Sequence, residues 1–565
     1  MKKSFITLAC IKSLFLGIAA VSMAAACSED IPGGESPDGG QTEAGGTING
    51  TEIVPGNNLV GLISDSRTGK GIAGIPVSDG YSFAVTDNNG VYQLKANRYC
   101  RQVYYSTPSE YKVSLAADSK MPLFYSTGVI NKSNVNRFDF ELEPLDAPES
   151  EFSFVVFSDT QVGKTNHVSR FEAETRPDAT DLVNNGIAEG TVKSPYGIIL
   201  GDIIYNTSAM WEPMKKAVSN WNVNSPSGFL PVFGCIGNHD YSNAETSSYA
   251  SIANYVKNFG PVDYSFNRGK VHFIVMNNVI FTGNSSGGDG KAVEYESGFT
   301  DTQIAWLKQD IEFVKNKEDM AVVFCAHIPL RGDGIKNADK VLQSLTGFKE
   351  AHIMTGHTHY PQNYIHSSYK SKNGKAVYEH VHSAVCGANW WSTLNTDGTP
   401  NGYAVYSIKD ASLVDWKAKS VMYPESYQMR VYNGNTIPDG TKKYKWESSY
   451  KDCFIVTIWN DDDVNWKVEF VDESGAVTPM TRVTKGQRDW FAYAFMINVN
   501  GRGDTNTWYH RSLKHYWYVK CPSGDPASAK NWKVRAIHTI PTSGVQHVYE
   551  ETSLKTDYSG FMHYE

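Results

Sequence analysis

The chain has 565 residues, 41% of them hydrophobic and 20% charged, a composition that excludes wholesale disorder. The length exceeds what one hydrophobic core serves and implies two to four domains. A net charge of -8 excludes the basic face that binders of nucleic-acid backbone carry. Ten of the thirteen tryptophans fall after residue 389, which sets the C-terminal part apart as a separate unit.

Lys2 and Lys3, a short apolar run and Ala24-Ala25-Ala26 ahead of Cys27 form an export signal. Lys12 breaks the apolar run, which is too short to span a membrane. Cys27 after small residues resembles the lipobox of bacterial lipoproteins. The resemblance implies a signal peptide over 1–27, lipidation at Cys27 and a chain anchored to the membrane rather than spanning it. A plain secretory signal with an incidental cysteine is the alternative. Ser28-Glu29-Asp30 resembles the acidic tag of surface-exposed lipoproteins, which places the protein in the cell envelope, at the outer membrane. Residues 28–50, rich in Gly, Ser, Pro, Asp and Glu, read as a flexible tether.

Short β-like runs fill 51–147, with Asp87-Asn88-Asn89-Gly90 as a turn between two of them. They predict a small all-β sandwich, similar to the immunoglobulin-like modules that precede exported bacterial enzymes. Residues 144–150 read as a linker. From 151 to 395 apolar strands alternate with helical or looped stretches, which predicts a layered α/β domain with sheets buried on both sides. Thr300 and Gln303 form a capping box, and Ile304, Leu307, Ile311 and Val314 then share one helix face. Residues 400–565 return to β-like runs with polar turns and predict a second all-β domain. Six cysteines lie beyond Cys27: Cys100, Cys235, Cys325, Cys386, Cys453 and Cys521. None forms C-x-x-C, and Cys235 and Cys325 read as core residues. Export permits disulfides, but their pairing is not legible.

Five strand ends in the middle domain finish in metal-binding side chains: Ser158-Asp159-Thr160-Gln161, Gly201-Asp202, Gly237-Asn238-His239-Asp240, His327 and Gly356-His357-Thr358-His359. Singly, each has a bland reading. Asp159 and Asp202 can cap helices, Asn238 can turn the chain, and His327 can sit satisfied in a core. Together they point to a ligand gathered at the carboxyl ends of strands. His357 and His359 lie two apart, so an extended segment turns both to the same side. Carboxylate, amide and imidazole without thiolate suit Mn, Fe or Zn.

The set resembles the calcineurin-like metallophosphoesterases, whose pattern is D-x-H, G-D, G-N-H-D/E, H and G-H-x-H. All five blocks occur in order over 151–395. The resemblance implies a two-layer β-sheet core flanked by helices and two divalent metal ions bridged by Asp202. Asp159, Gln161 and His359 would complete the first site, and Asn238, His327 and His357 the second. His239 would be catalytic and Asp240 would orient it. The implied activity is hydrolysis of phosphomonoesters or phosphodiesters by attack of a metal-bridging hydroxide. Substrates would be phosphorylated small molecules or glycan and lipid phosphates, with no nucleic-acid polymer.

Gln161 departs from the family, which usually has histidine there. Its amide oxygen is a weaker, harder ligand that tilts the first site toward Mn or Mg over Zn. Some family members carry glutamine at this place. Gly201-Asp202-Ile203-Ile204-Tyr205 also fits G-D-x-x-Y, where purple acid phosphatases place a tyrosine ligand, but their other signatures are absent and Tyr205 reads as aromatic packing. His272 reads as a core residue, and His352, His366, His380 and His382 fit no block. Arg331-Gly332-Asp333 and Arg502-Gly503-Asp504 read as loop coincidences. Asn389 and Trp390 follow the last block and read either as a substrate-side wall or as residues buried at the junction with the C-terminal domain. The competing reading of the whole chain is an inactive surface lipoprotein that binds carbohydrate or another nutrient, motivated by the tryptophans. The intact ligand blocks argue against it.

Overall fold

A computed structural model describes residues 46–285, 291–438, 444–501 and 511–564. The segment read as a signal peptide, Cys27, the first part of the stretch read as a tether and Arg502-Gly503-Asp504 lie outside the described residues. Two stacked sheets form the centre. The first holds β1 (Glu151–Phe157), β2 (Tyr196–Leu200) and β3 (Val232–Cys235), mutually parallel, continued beside β1 by an antiparallel pair. The second holds β4 (Tyr264–Arg268), β5 (Val271–Val275), β6 (Ala321–Cys325), β7 (Glu350–Thr355), β8 (Gln362–Lys370) and β9 (Ala376–Val381) in the order β4-β5-β6-β7-β9-β8. The antiparallel pair completing the first sheet is β10 (Gly402–Lys409) and β11 (Ser412–Ser420), giving β3-β2-β1-β10-β11.

Alternation along β1 assigns its two faces. Phe154 and Val156 join a core shared with the second sheet, while Val155 and Phe157 pack under helices. Phe233 stacks on Phe266 at 4.1 Å between ring centres, closing the two layers. Helices Arg176–Glu189 and Trp211–Val218 cover the outer face of the first sheet. Helices Asp301–Phe313 and Ala338–Leu345 contribute Ile304, Leu307, Val341 and Leu345 to the core with the second sheet. The Asp301–Phe313 helix starts at the expected capping box, with Thr300 Oγ1 accepting from Gln303 N and the Gln303 side chain accepting from Thr300 N. Val314 lies just past its end.

The N-terminal β module consists of a four-stranded and a three-stranded sheet, preceded by the short pair Thr47–Ile48 and Thr51–Glu52. Strand Leu59–Asp65 pairs antiparallel with Val91–Leu94 and parallel with Asn136–Arg137 and Phe140–Leu142. It is fixed to the centre by polar bonds. Tyr104 Oη donates to Asp263 O at 2.5 Å, Trp306 Nε1 to Ser78 Oγ at 3.1 Å, and buried Arg268 pairs with Glu149 at 2.5 Å.

Two expectations about the C-terminal part change. The boundary drawn at 395–400 cuts through the first sheet, because β10 and β11 supply the strands that cover the free edge of β1. The part beyond them is mostly β, two four-stranded sheets around Val431, Phe454, Val456, Val468 and Val534, but it is not all β. Helix Trp490–Asn498 packs on its first sheet, capped by Asp489, whose side chain accepts from Ala492 N. Phe491 through Met496 are all buried. A helix apolar on every face shows no 3.6-residue pattern, which is why it reads as strand. None of the described tryptophans after residue 389 is exposed; Trp416, Trp446, Trp459, Trp466 and Trp532 are buried. The six described cysteines after Cys27 are free and buried. Among the described residues no helix is long and apolar enough to cross a membrane.

Candidate metal centre

Each of the five blocks leaves the carboxyl end of a strand on the same rim: Asp159 and Gln161 after β1, Asp202 after β2, Asn238 to Asp240 after β3, His327 after β6, His357 and His359 after β7. The loops cross very closely. A Cβ on Gly237 would lie 2.2 Å from Asp202 N, and one on Gly356 would lie 1.7 Å from Ser158 Oγ and 2.6 Å from Asp159 Oδ2. Only glycine admits that approach. The side chains are delivered from strained backbone: Asp159, Gln161, Asp202, His357 and His359 all have φ between 39° and 68°. Such conformations persist where surrounding structure over-determines them, as at ligand sites.

Two groups of donor atoms result. Asp159, Asp202 and His359 form one, Asp202, His327 and His357 the other, each with atoms within 4.8 Å of one another. Asp202 belongs to both. Its Oδ1 lies 3.3 Å from His327 Nε2, and its Oδ2 accepts from Gln161 Nε2 at 2.8 Å. Backbone carbonyls set the tautomers. His327 Nδ1 donates to Leu200 O at 2.8 Å and His359 Nδ1 to Gly387 O at 2.7 Å, so both Nε2 atoms face inward and, in the neutral ring, offer their lone pairs there. His327 Nε2 then faces Asn238 Oδ1 at 3.1 Å and His357 Nδ1 at 3.2 Å.

Asp159 Oδ2 accepts from Ser158 Oγ and His357 N, while its Oδ1, fully buried, faces only His359 Nε2, at 3.4 Å. Ring nitrogens, an amide oxygen and two buried carboxylates crowded on one point are what cations satisfy. The residues therefore fit two metal ions. Gln161 would bind through Oε1, which the amide presents to the site when it turns over, exchanging oxygen and nitrogen.

Burial pushes the Asp159 and Asp202 carboxyls up, but the imidazoles outweigh it. Asp159 falls below its ordinary value beside His359, and Asp202 falls well below among His327, His239 and His357. Burial lowers His327, yet Asp202 and Asp159 raise it to about 9. His357 is pulled down to about 4 by burial and by His327.

His239 reaches the centre as expected, with Nε2 4.0 Å from Asp202 Oδ2 and its side chain 18% exposed. Asp240 does not orient it. Its carboxylate turns away, accepting from Ile204 N at 3.0 Å and Gly237 N at 2.8 Å, and so ties the loops after β2 and β3 together. Burial and Asp202 raise Asp240 well above its ordinary value. The partner of His239 is Asn206, whose Oδ1 accepts from Nδ1 at 3.0 Å. The sequence offered one hint of it, a polar residue in the loop that carries Asp202.

Tyr205 stacks on His239 with centroids 4.7 Å apart and is 39% exposed, consistent with aromatic packing. Asn389 is half-buried beside the site loop. Trp390 is only 2% exposed, which removes the stacking surface expected of a substrate wall. It is buried behind the centre, with His167 and Arg170 against its ring. His272 is a core residue bonded to Asp310 at 2.9 Å, and His352, His380 and His382 are buried between strands. Arg331 bonds Tyr360 Oη and lies over the Tyr364 ring.

Two sheets stacked in this way, with two donor groups that share Asp202 on their common rim, define a dinuclear metallohydrolase type of centre. Residues 152–361 match the calcineurin-like phosphoesterase family, residues 58–145 its N-terminal companion and residues 379–541 its C-terminal companion. The chain belongs to the calcineurin-like phosphoesterase family. No curated protein sequence matches it. Solved structures similar to parts of it include a purple acid phosphatase from yellow lupin, 12% identical with a TM-score of 0.30 over 49% of this chain and 55% of that one. A 5'-nucleotidase from Candida albicans is 10% identical with a TM-score of 0.31 over 63% of this chain and 80% of that one. The chain thus spans about half the length of the lupin enzyme.

Proposed function

We propose that the protein is a dinuclear metal-dependent phosphoesterase that hydrolyses phosphomonoesters or phosphodiesters. One observation carries the reading: His327 Nε2, Asn238 Oδ1, His357 Nδ1 and Asp202 Oδ1 converge on one point, next to the buried pair of Asp159 Oδ1 and His359 Nε2. Asp159, Gln161, Asp202 and His359 would hold one ion, and Asp202, Asn238, His327 and His357 the other. Two bound cations supply Lewis acidity toward a phosphate ester and toward water. Manganese or magnesium suits the oxygen-rich first site better than zinc.

The chain's own residues do the rest. Leu200 O and Gly387 O fix the tautomers that keep His327 and His359 as ligands. Asn206 holds Nδ1–H of His239, which leaves Nε2 to carry a proton toward the leaving-group oxygen. Asp202, near that nitrogen, favours its charged form. The backbone bond from His239 N to Asp202 Oδ1, 2.8 Å, ties the acid to the carboxylate that both donor groups share. Turnover of phenyl phosphate and of its diester with Mn present tests the reading and separates the two substrate classes. His239→Ala should lower turnover by 10²–10⁴-fold, the usual worth of general acid catalysis; unchanged hydrolysis would overturn the assignment.

Export and anchoring at the outer membrane through Cys27 are part of the same proposal, supported by Lys2, Lys3 and the small residues before Cys27. Loss of membrane association in Cys27→Ser cells is the expected result, and retention would contradict it.

A further inference from the structure

Residues 384–391 touch the first group of ligands in a way nothing in the motif announces. The three consecutive carbonyls of 158–160 all accept from this loop: Ser158 O from Val385 N at 2.8 Å, Asp159 O from Cys386 N at 3.1 Å, Thr160 O from Trp390 Nε1 at 2.7 Å. A fourth bond runs the other way, from His359 Nδ1 to Gly387 O. Asp159, Gln161 and His359 are the side chains proper to the first site. None of these four bonds reaches Asn238, His327 or His357.

Of these four bonds only that of Trp390 comes from a side chain of the loop; Cys386 Sγ adds longer contacts, 3.8 Å to Gln161 Oε1 and 3.6 Å to His359 Nδ1. Thr160 sits between Asp159 and Gln161, whose φ values of 50° and 39° are costly for residues with a side chain. The peptide that aims Gln161 is held at both ends, by Trp390 on the Thr160 carbonyl and by Asp202 O on the Gln161 N–H at 2.7 Å, and freeing the carbonyl removes one of the two holds. Trp390 is itself held firmly. Its N–H donates to Cys386 O at 2.7 Å, and its carbonyl accepts from Arg170 Nη1 at 2.8 Å. The Arg170 guanidinium lies 4.8 Å from the ring centre and is gripped by both Glu174 oxygens at 2.8 and 2.9 Å. A stretch of π-helix, Phe171–Thr175, begins right after Arg170, a feature that often marks functional places.

We infer that Trp390 is a positioning residue for the first metal ion: its indole N–H pins the Thr160 carbonyl and thereby keeps Asp159 and Gln161 in ligating conformation. An amide ligand gains more from such support than an imidazole, because its intrinsic affinity is lower. The inference rests on the dinuclear reading above.

The test is Trp390→Phe, which keeps a ring and removes the N–H. Metal-free wild-type and variant proteins are titrated with Mn(II) alone and followed by electron paramagnetic resonance. Wild type is expected to give the exchange-coupled spectrum of a Mn pair at two equivalents. The variant is expected to show a mononuclear spectrum there, with first-site affinity roughly tenfold or more weaker, the usual effect of removing an outer partner of a ligand. A coupled pair at the same Mn concentration, or equal weakening at both sites, would overturn the role of Trp390. A wild type that never forms a pair would instead overturn the dinuclear reading beneath it. Thermal melting of the metal-free proteins reports folding. Should Trp390→Phe fail to fold, Arg170→Lys, which gives up the bond to Trp390 O, carries the same test with the same outcomes.

Discussion

Replacing Asn206 by aspartate puts a carboxylate where an amide oxygen now stands 3.0 Å from His239 Nδ1. The exchange is nearly isosteric, and aspartate tolerates the left-handed backbone at this position, φ 51°, almost as well as asparagine. Two unit charges ~4 Å apart at an effective dielectric of ~20 interact by ~4 kcal/mol. The His239 side chain is 18% exposed. Solvent screening at that exposure leaves about half, ~2 kcal/mol, or about 1.5 pKa units. Burial now lowers His239 below its ordinary value, with Asp202 offsetting part of the loss. A carboxylate stabilises the charged imidazole, so the pKa rises and the acid form persists to higher pH. The assay is kcat against pH with phenyl phosphate, whose poor leaving group needs a proton, at saturating Mn. The basic limb should move up by about 1 to 1.5 units. An unmoved limb in Asn206→Asp, or an equal shift in Asp240→Asn, would refute the assignment of Asn206 as the partner of His239.

Gln161→His restores an imidazole in a buried place next to Cys386 Sγ, 3.8 Å from the present Oε1. Competition between Zn and Mn should shift toward Zn by about tenfold at one of the two sites, and an unchanged ratio would argue that position 161 is not a ligand. Asp263 lies beneath the N-terminal module, where burial raises its carboxyl to about 6 despite bonds from Gln303 and Asn277. Between pH ~4 and ~6 the folded protein therefore binds more protons there than the unfolded chain does. Stability from this group is present below about pH 4 and falls by up to ~3 kcal/mol as pH rises to 6. Denaturant melts across that range should show a slope that Asp263→Asn removes, and an identical slope in the variant would contradict the account.

The ligand positions were legible because each closes an apolar strand, so a local pattern and a functional one coincide at Asp159, Asp202, Asn238, His327 and His357. What the sequence hid depends on space rather than on adjacency. Asp240 follows His239 directly, yet the short 3-10 turn Asn238–Asp240 aims the two side chains apart, and Asn206, 33 residues earlier, becomes the partner of His239. Trp390 meets Thr160 from 230 residues away, a contact no motif encodes. The fold repeats the lesson. The sandwich and its helices follow from strand runs and the Thr300 capping box. Strands β10 and β11 lie beyond the tryptophan-rich boundary and return to β1, and the Trp490–Asn498 helix lacks a polar face to reveal its period.

The central claim is that seven side chains hold two metal ions that share Asp202. Anomalous diffraction from crystals of the protein grown with Mn tests it most directly. The account predicts two peaks on the strand-end rim, one among Asp159, Gln161, Asp202 and His359, the other among Asp202, Asn238, His327 and His357. A single peak, or peaks that do not share Asp202, would contradict it.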